Sequence, residues 1–184
     1  MARHQQQRTQ YPMGSVSSGT MCEADLIPDF CYQLSQLARQ SGILPAKTRH
    51  AHLALVKEIE KRMESEDYFE SEDAGYDLNE DLFPALDKYS GPYFYFGGHP
   101  GDGADYGWWL SEEWDEDFID ARDWIAERSA PNFIGDGTAY SLKVSDLAEI
   151  PPKYRGEVAV VNDHGNVTLY VKTSRKLREV WAVV

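Results

Sequence analysis

Apolar residues recur with a helical period through the first third of the chain. Leu26, Phe30, Leu34 and Leu37 follow one another at spacings of four, four and three, which predicts a helix over 23–40. Gly42 stops it and Pro45 opens the next segment. A second helix is predicted over 45–64, with Leu53, Val56, Ile59 and Met63 on its buried face. An acidic connector follows, then a short helix near 79–89; Pro84 fits best in a first turn, which moves the start toward Asp81. The period then falls to two. "YFYF" (93–96) and "YGWWL" (106–110) read as strands joined by the Gly-rich turn "GGHPGDGAD". Helical spacing returns over 111–128, where Trp114, Phe118, Ala121 and Ile125 fall at i, i+4, i+7 and i+11 behind Ser111 as N-cap. A loop holding Pro131 and Gly135 ends that helix.

The last third is rich in β-formers. "AYSLKV" is a strand, "VSDLAEIPPKYRG" a turn or short helix, and 157–161, 166–172 and 177–184 form a meander closed by the tight turns "NDHG" and "TSRK". Residues 1–20 lack an apolar period and are rich in Gln, Ser, Thr and Gly, which predicts a mobile tail. The expected architecture is α+β: N-terminal helices followed by an antiparallel sheet with a C-terminal three-stranded meander. It forms a single domain over 21–184. No internal repeat is present.

Charge changes this picture. The chain has 31 acidic and 18 basic residues, a net charge of −13. Such a surface repels nucleic acid and anionic membranes and attracts basic proteins. The imbalance is polarised: 22 of the 31 acids but only 4 of the 18 basic residues lie between Glu58 and Glu127. On the predicted helix, Glu113, Glu116, Asp120, Asp123 and Glu127 share a second face. They would make a ridge about 21 Å long with a carboxylate about every 5 Å. Three readings stay open. The ridge is a solvating face, or it contacts a basic protein patch, or it imitates the phosphate row of a duplex and occupies a Lys/Arg groove.

The strongest enzymatic hint is the loop 97–107, which holds His99, Asp102 and Asp105 as candidates for acid–base chemistry or for a metal. The alternative is a plain turn whose glycines supply positive φ. EF-hand, phosphate-loop, GxSxG and HExxH patterns are absent, and no cofactor is implied. Asp163 and His164 fall at a hairpin tip, and His50 and His52 point to different helix faces. Cys22 and Cys31 are too few for a disulfide framework and form no zinc pattern. Trp108 and Trp109, with Tyr93, Phe94, Tyr95, Phe96 and Tyr106, flank the Gly-rich loop. Aromatics on both faces of that hairpin would leave one face for a protein partner or for a homodimer. The polar first twenty residues have no signal-peptide core, which points to the cytoplasm.

The stretches "YFYFGGHPGDGADYGWW" and "GEVAVVNDHGNVTLYVKTSRKLREVWAVV" resemble segments of small uncharacterised acidic proteins carried by phages, prophages and plasmids. The likeness covers roughly residues 91–184. It implies an inhibitor of host defence, of the anti-CRISPR or anti-restriction kind, acting in the host cytoplasm. It carries over no catalytic residue. The expectation is therefore a non-catalytic protein that occupies the basic groove of a host nucleic-acid-handling complex. Glu113, Glu116, Asp120, Asp123, Glu127, Trp108 and Trp109 would be its contact residues. The alternatives are a small enzyme centred on His99, Asp102 and Asp105, and an accessory protein with a merely solvating acidic face.

Overall fold

Helix α1 spans Glu23–Gln40, the bounds that its apolar spacing predicts. Leu26, Phe30 and Leu34 are buried on one face, with Ile27, Cys31 and Ala38 beside them. Helix α2 covers Ala46–Arg62 behind Pro45. Its buried line is His52, Val56 and Ile59, while Leu53 is half-buried, so the face is turned from the predicted one. The computed structural model describes residues 11–129 and 141–182, and the chain divides into two compact units, Met1–Ser111 and Glu112–Val184. One domain over 21–184 is what the sequence predicts. No described helix is long and apolar enough to cross a membrane.

In the first unit, helical structure runs further than predicted, from Glu72 to Asp87. It consists of α3 (Glu72–Tyr76), a π-helical turn (Asp77–Leu82) and α4 (Phe83–Asp87), with Pro84 at the start of α4. In a regular helix the proline ring would press on the carbonyl four residues back. A wider turn placed directly before it relieves that clash.

The sheet of this unit has the order β1-β3-β2, with β1 (Gly14–Ser18), β2 (Phe94–His99) and β3 (Asp102–Leu110) antiparallel. Strand β1 lies inside the predicted mobile tail and corrects that expectation for 14–18; residues 1–10 are outside the described residues. "GSVSS" has one apolar residue, but an edge strand needs little more. Val16 packs on the core, and Ser17 is buried and donates to Asp29 of α1 at 2.7 Å. The pairing depends on Gly107: a Cβ there would lie 2.1 Å from the Gly14 carbonyl oxygen. The core is aromatic at its centre. Phe30 meets Phe83, Phe96 and Tyr106 edge-on at 5.2, 5.0 and 6.0 Å between ring centroids.

The second unit holds helix α5 (Ala121–Ser129) and the strands β4 (Phe118–Asp120), β5 (Ser141–Val144), β6 (Gly156–Val161), β7 (Val167–Lys172) and β8 (Leu177–Ala182), the strands in one sheet of order β4-β5-β6-β7-β8. The predicted meander is β6-β7-β8, antiparallel throughout. Strands β4, β5 and β6 pair in parallel, so the sheet is mixed and not purely antiparallel. The loop predicted around Pro131 and Gly135 lies outside the described residues. Leu142, Val144, Val158, Ile150, Tyr154 and Ala121 form this unit's core.

Candidate functional site

The acidic stretch 111–128 is not one helix. Residues 112–117 form consecutive turns, Phe118–Asp120 is β4, and only Ala121–Ser129 is helical. One physical reason is local and one is not. Carboxylates three and four apart repel one another on a helix. Pairing beside β5 instead gives the backbone of 118–120 its hydrogen bonds and buries Phe118. Asp120 then stands immediately before α5, a position that favours a carboxylate. The predicted buried face fails with the helix. Phe118 and Ala121 are buried and Trp114 stacks edge-on against Phe118 at 5.2 Å, but Ile125 is 47% exposed. The continuous ridge fails too. Glu113 and Glu116 lie in the turns, Asp120 ends the strand, and only Asp123 and Glu127 share a helix. All five are nevertheless exposed. The neighbouring Asp115 is half-buried and takes a hydrogen bond from Lys143 at 3.0 Å.

The loop 97–107 is a tighter hairpin than predicted, with His99 and Asp102 paired in register and Pro100 and Gly101 at its tip. Each candidate side chain has its own local partner. His99 Nδ1 accepts the Gly101 N–H at 3.0 Å, and Asp102 Oδ1 accepts the Ala104 N–H at 3.0 Å. Asp105 Oδ1 accepts the Ser15 hydroxyl at 2.5 Å, tying β1 to β3. These bonds shape a turn and an edge; they do not converge on a common point. Among the described residues, no three His, Cys, Asp or Glu side chains come together as metal ligands.

The hairpin's aromatics divide by strand alternation. Phe96 and Trp108 face the core, and Trp108 is 1% exposed, so it is not available as a contact residue. Trp109 is half-buried on the opposite face. Its Nε1 donates to the Gly97 carbonyl at 3.0 Å and its ring meets His99 edge-on at 4.6 Å. Tyr95, opposite Trp109 in register, donates from its hydroxyl to the Gly98 carbonyl at 2.8 Å. His164 sits exposed at the β6–β7 turn, where Asn162 Oδ1 accepts the N–H groups of His164 and Asn166 at 2.9 Å each. His50 is exposed, whereas His52 is buried with Nδ1 3.1 Å from the Tyr89 hydroxyl; burial, then the Lys88 charge, lowers its pKa.

One polar cluster is invisible in the sequence pattern. Asp77, 3% exposed at the start of the π turn, receives Arg62 Nε and Nη2 at 2.8 and 2.7 Å and the Tyr68 hydroxyl at 2.7 Å. The fork geometry suits a buried carboxylate. Burial pushes the Cys31 thiol up to about 12, helped by the charges of Glu60 and Asp77. Arg62 and Tyr68 are donors to Asp77, and the three form a structural clasp joining α2 to the π turn. No protein-family model, no curated protein and no solved structure matches this chain.

Proposed function

We propose that this chain is a non-catalytic acidic binding protein that docks through residues 112–127 on the basic groove of a host nucleic-acid-handling complex and keeps its substrate out. One observation carries the reading: of the eight acids in that segment, all but Asp115 are exposed. A solvent-facing carboxylate retains its charge and its reach, about 8–10 Å at physiological salt. The broken helix changes what the segment can imitate. Without a regular row it does not copy the spacing of phosphates, so its contribution is long-range attraction and exclusion, not register. Attraction of this kind raises the association rate and is salt-sensitive.

The test is a lysate pull-down from a bacterial host with the tagged protein, with and without duplex DNA, repeated for the triple variant Glu116→Lys, Asp120→Lys, Asp123→Lys. A control triple, Glu64→Lys, Glu66→Lys, Glu70→Lys, carries the same charge change elsewhere. The expected result is a nucleic-acid-binding partner that DNA displaces, lost in the first triple and kept in the second. Equal loss in both triples would reduce the segment to bulk charge, and a partner indifferent to DNA would end the reading.

A further inference from the structure

The second unit is charged unevenly. Residues 112–149 hold eleven acidic and three basic residues, whereas 150–184 hold three acidic and six basic ones. Topology turns that difference in sequence into a separation in space. The acidic segment leads into β4 at one edge of the sheet, and β8 forms the other edge. Four strand spacings of about 4.8 Å put the two edges about 19 Å apart. That is more than twice the distance of about 8 Å over which an exposed charge is felt at physiological salt. The basic edge therefore acts locally, even in a protein of net charge −13.

We infer that the β7–β8 hairpin is a contact surface for the phosphate backbone of duplex nucleic acid. Its tip reads "KTSRKLR" (172–178), four cations in seven residues with no acid among them. Arg175, Lys176 and Arg178 are exposed, and among the described residues none of the three forms an ion pair. Glu179, the next carboxylate along the strand, stands beside Tyr170 in the register of β7 and β8. The tip is shaped before any ligand arrives. The Thr173 N–H donates to the Lys176 carbonyl at 2.9 Å. The Thr173 hydroxyl donates to the same carbonyl at 3.0 Å and accepts the Lys176 N–H at 3.1 Å. Lys172 Nζ donates to the Pro151 carbonyl at 2.8 Å and anchors the end of β7. These bonds use the side chains of Thr173 and Lys172 and the main chain. The Ser174 hydroxyl and the heads of Arg175, Lys176 and Arg178 are left for a ligand.

Position and chemistry then narrow the partner. Cations on an edge strand also ward off pairing with other strands. That duty accounts for Arg178 but not for Arg175 and Lys176, which lie in the turn before β8 begins. Arginine forks, a lysine and a serine hydroxyl are groups that hold phosphates along a duplex. The distance from Arg175 to Arg178 is no more than about 10 Å of chain. Over that length a duplex presents about six phosphates, so each cation finds one without rearrangement. Lys172 is the last residue of β7 in register with β6, at Gly156, so only 173–176 stand beyond the third strand. Such a short tip does not fill a groove to read bases, and the contact is to the backbone, independent of sequence.

The test is fluorescence anisotropy of a fluorescein-labelled duplex of about 20 base pairs titrated with the full chain at about 50 mM salt. The expected Kd is on the order of 100 μM, the weak end of sequence-independent binding, and equal for two unrelated sequences. Three phosphate contacts predict that the logarithm of the binding constant falls against the logarithm of salt with a slope of about −3. The triple variant Arg175→Glu, Lys176→Glu, Arg178→Glu should weaken binding at least tenfold. A control triple on exposed positions of α2, Lys47→Glu, Lys57→Glu, Lys61→Glu, carries the same charge change and should keep it. Lys176→Glu alone, confined to the turn, should weaken binding severalfold with the circular dichroism of the native sheet intact. Three outcomes overturn the proposal: no anisotropy change at millimolar protein, equal loss in both triples, or poly-glutamate displacing the labelled duplex as well as unlabelled duplex does, which would assign the hairpin to an acidic protein. The assay holds no host protein and the variants leave 112–127 intact, so failure of the docking reading and failure of this contact are separately visible.

Discussion

Removing Arg62 should harm the protein more than removing the carboxylate it holds, and removing both should undo part of the harm. Asp77 is 3% exposed and its two oxygens are occupied by Arg62 and Tyr68. Arg62→Met leaves a buried carboxylate with one hydroxyl donor. Breaking a buried pair from one side costs about 3–5 kcal/mol. The expected loss is therefore about 3–5 kcal/mol. Asp77→Ala strands less. The Arg62 side chain is 39% exposed and can turn its charge to water. The Tyr68 hydroxyl, in a residue 4% exposed, loses its acceptor, at about 1–3 kcal/mol. In the double variant the stranded anion is gone, so it should be more stable than Arg62→Met alone by about 1 kcal/mol. Urea unfolding followed by circular dichroism on the four proteins measures all three differences. If the double variant is less stable than Arg62→Met, the carboxylate is not carrying a buried charge and the reasoning is wrong.

Two further predictions concern ionisation. With its pKa pushed up to about 12 by burial, Cys31 stays a thiol at neutral pH, so a thiol reagent should label exposed Cys22 promptly and Cys31 only on unfolding in denaturant; rapid double labelling of native protein would refute the buried placement. Asp81 has its pKa raised above the ordinary 3.8, first by burial and then by the charge of Asp77. A raised carboxyl pKa favours the folded state below the unfolded value and penalises it as pH rises through the folded value. Asp81→Asn should accordingly raise Tm at neutral pH, with the gain closing below about pH 3.8; a lower Tm at neutral pH would contradict the sign.

Helix α1 was legible because a single period of apolar residues, running to Leu37, decides it, with Gly42 and Pro45 beyond to end it. The meander was legible for a similar reason, since its turns carry Asn, Asp, Gly and Ser at the positions that need them. The stretch 111–128 misled because Trp114, Phe118 and Ala121 are inward-facing in both descriptions. A helical spacing of apolar residues also arises when a turn, a short strand and a helix each bury one of them. What separated the alternatives was a partner strand, β5, over twenty residues away, which local spacing cannot register. The clasp at Asp77 escaped because Arg62, Tyr68 and Asp77 belong to three different elements and share no period.

The close approach of Gly107 to Gly14 gives the chain's polar beginning a protective duty. With β1 in place, β3 is the middle strand of its sheet, and both of its backbone edges are satisfied. Trimming the first twenty residues, as a polar leader invites, would leave one edge of β3 open beside Trp108 and Trp109. An open edge with aromatic neighbours recruits the same edge of another molecule. The short segment Gly14–Ser18 thus acts as a guard against self-association, and expression vectors or fusion joints for this protein should leave it whole.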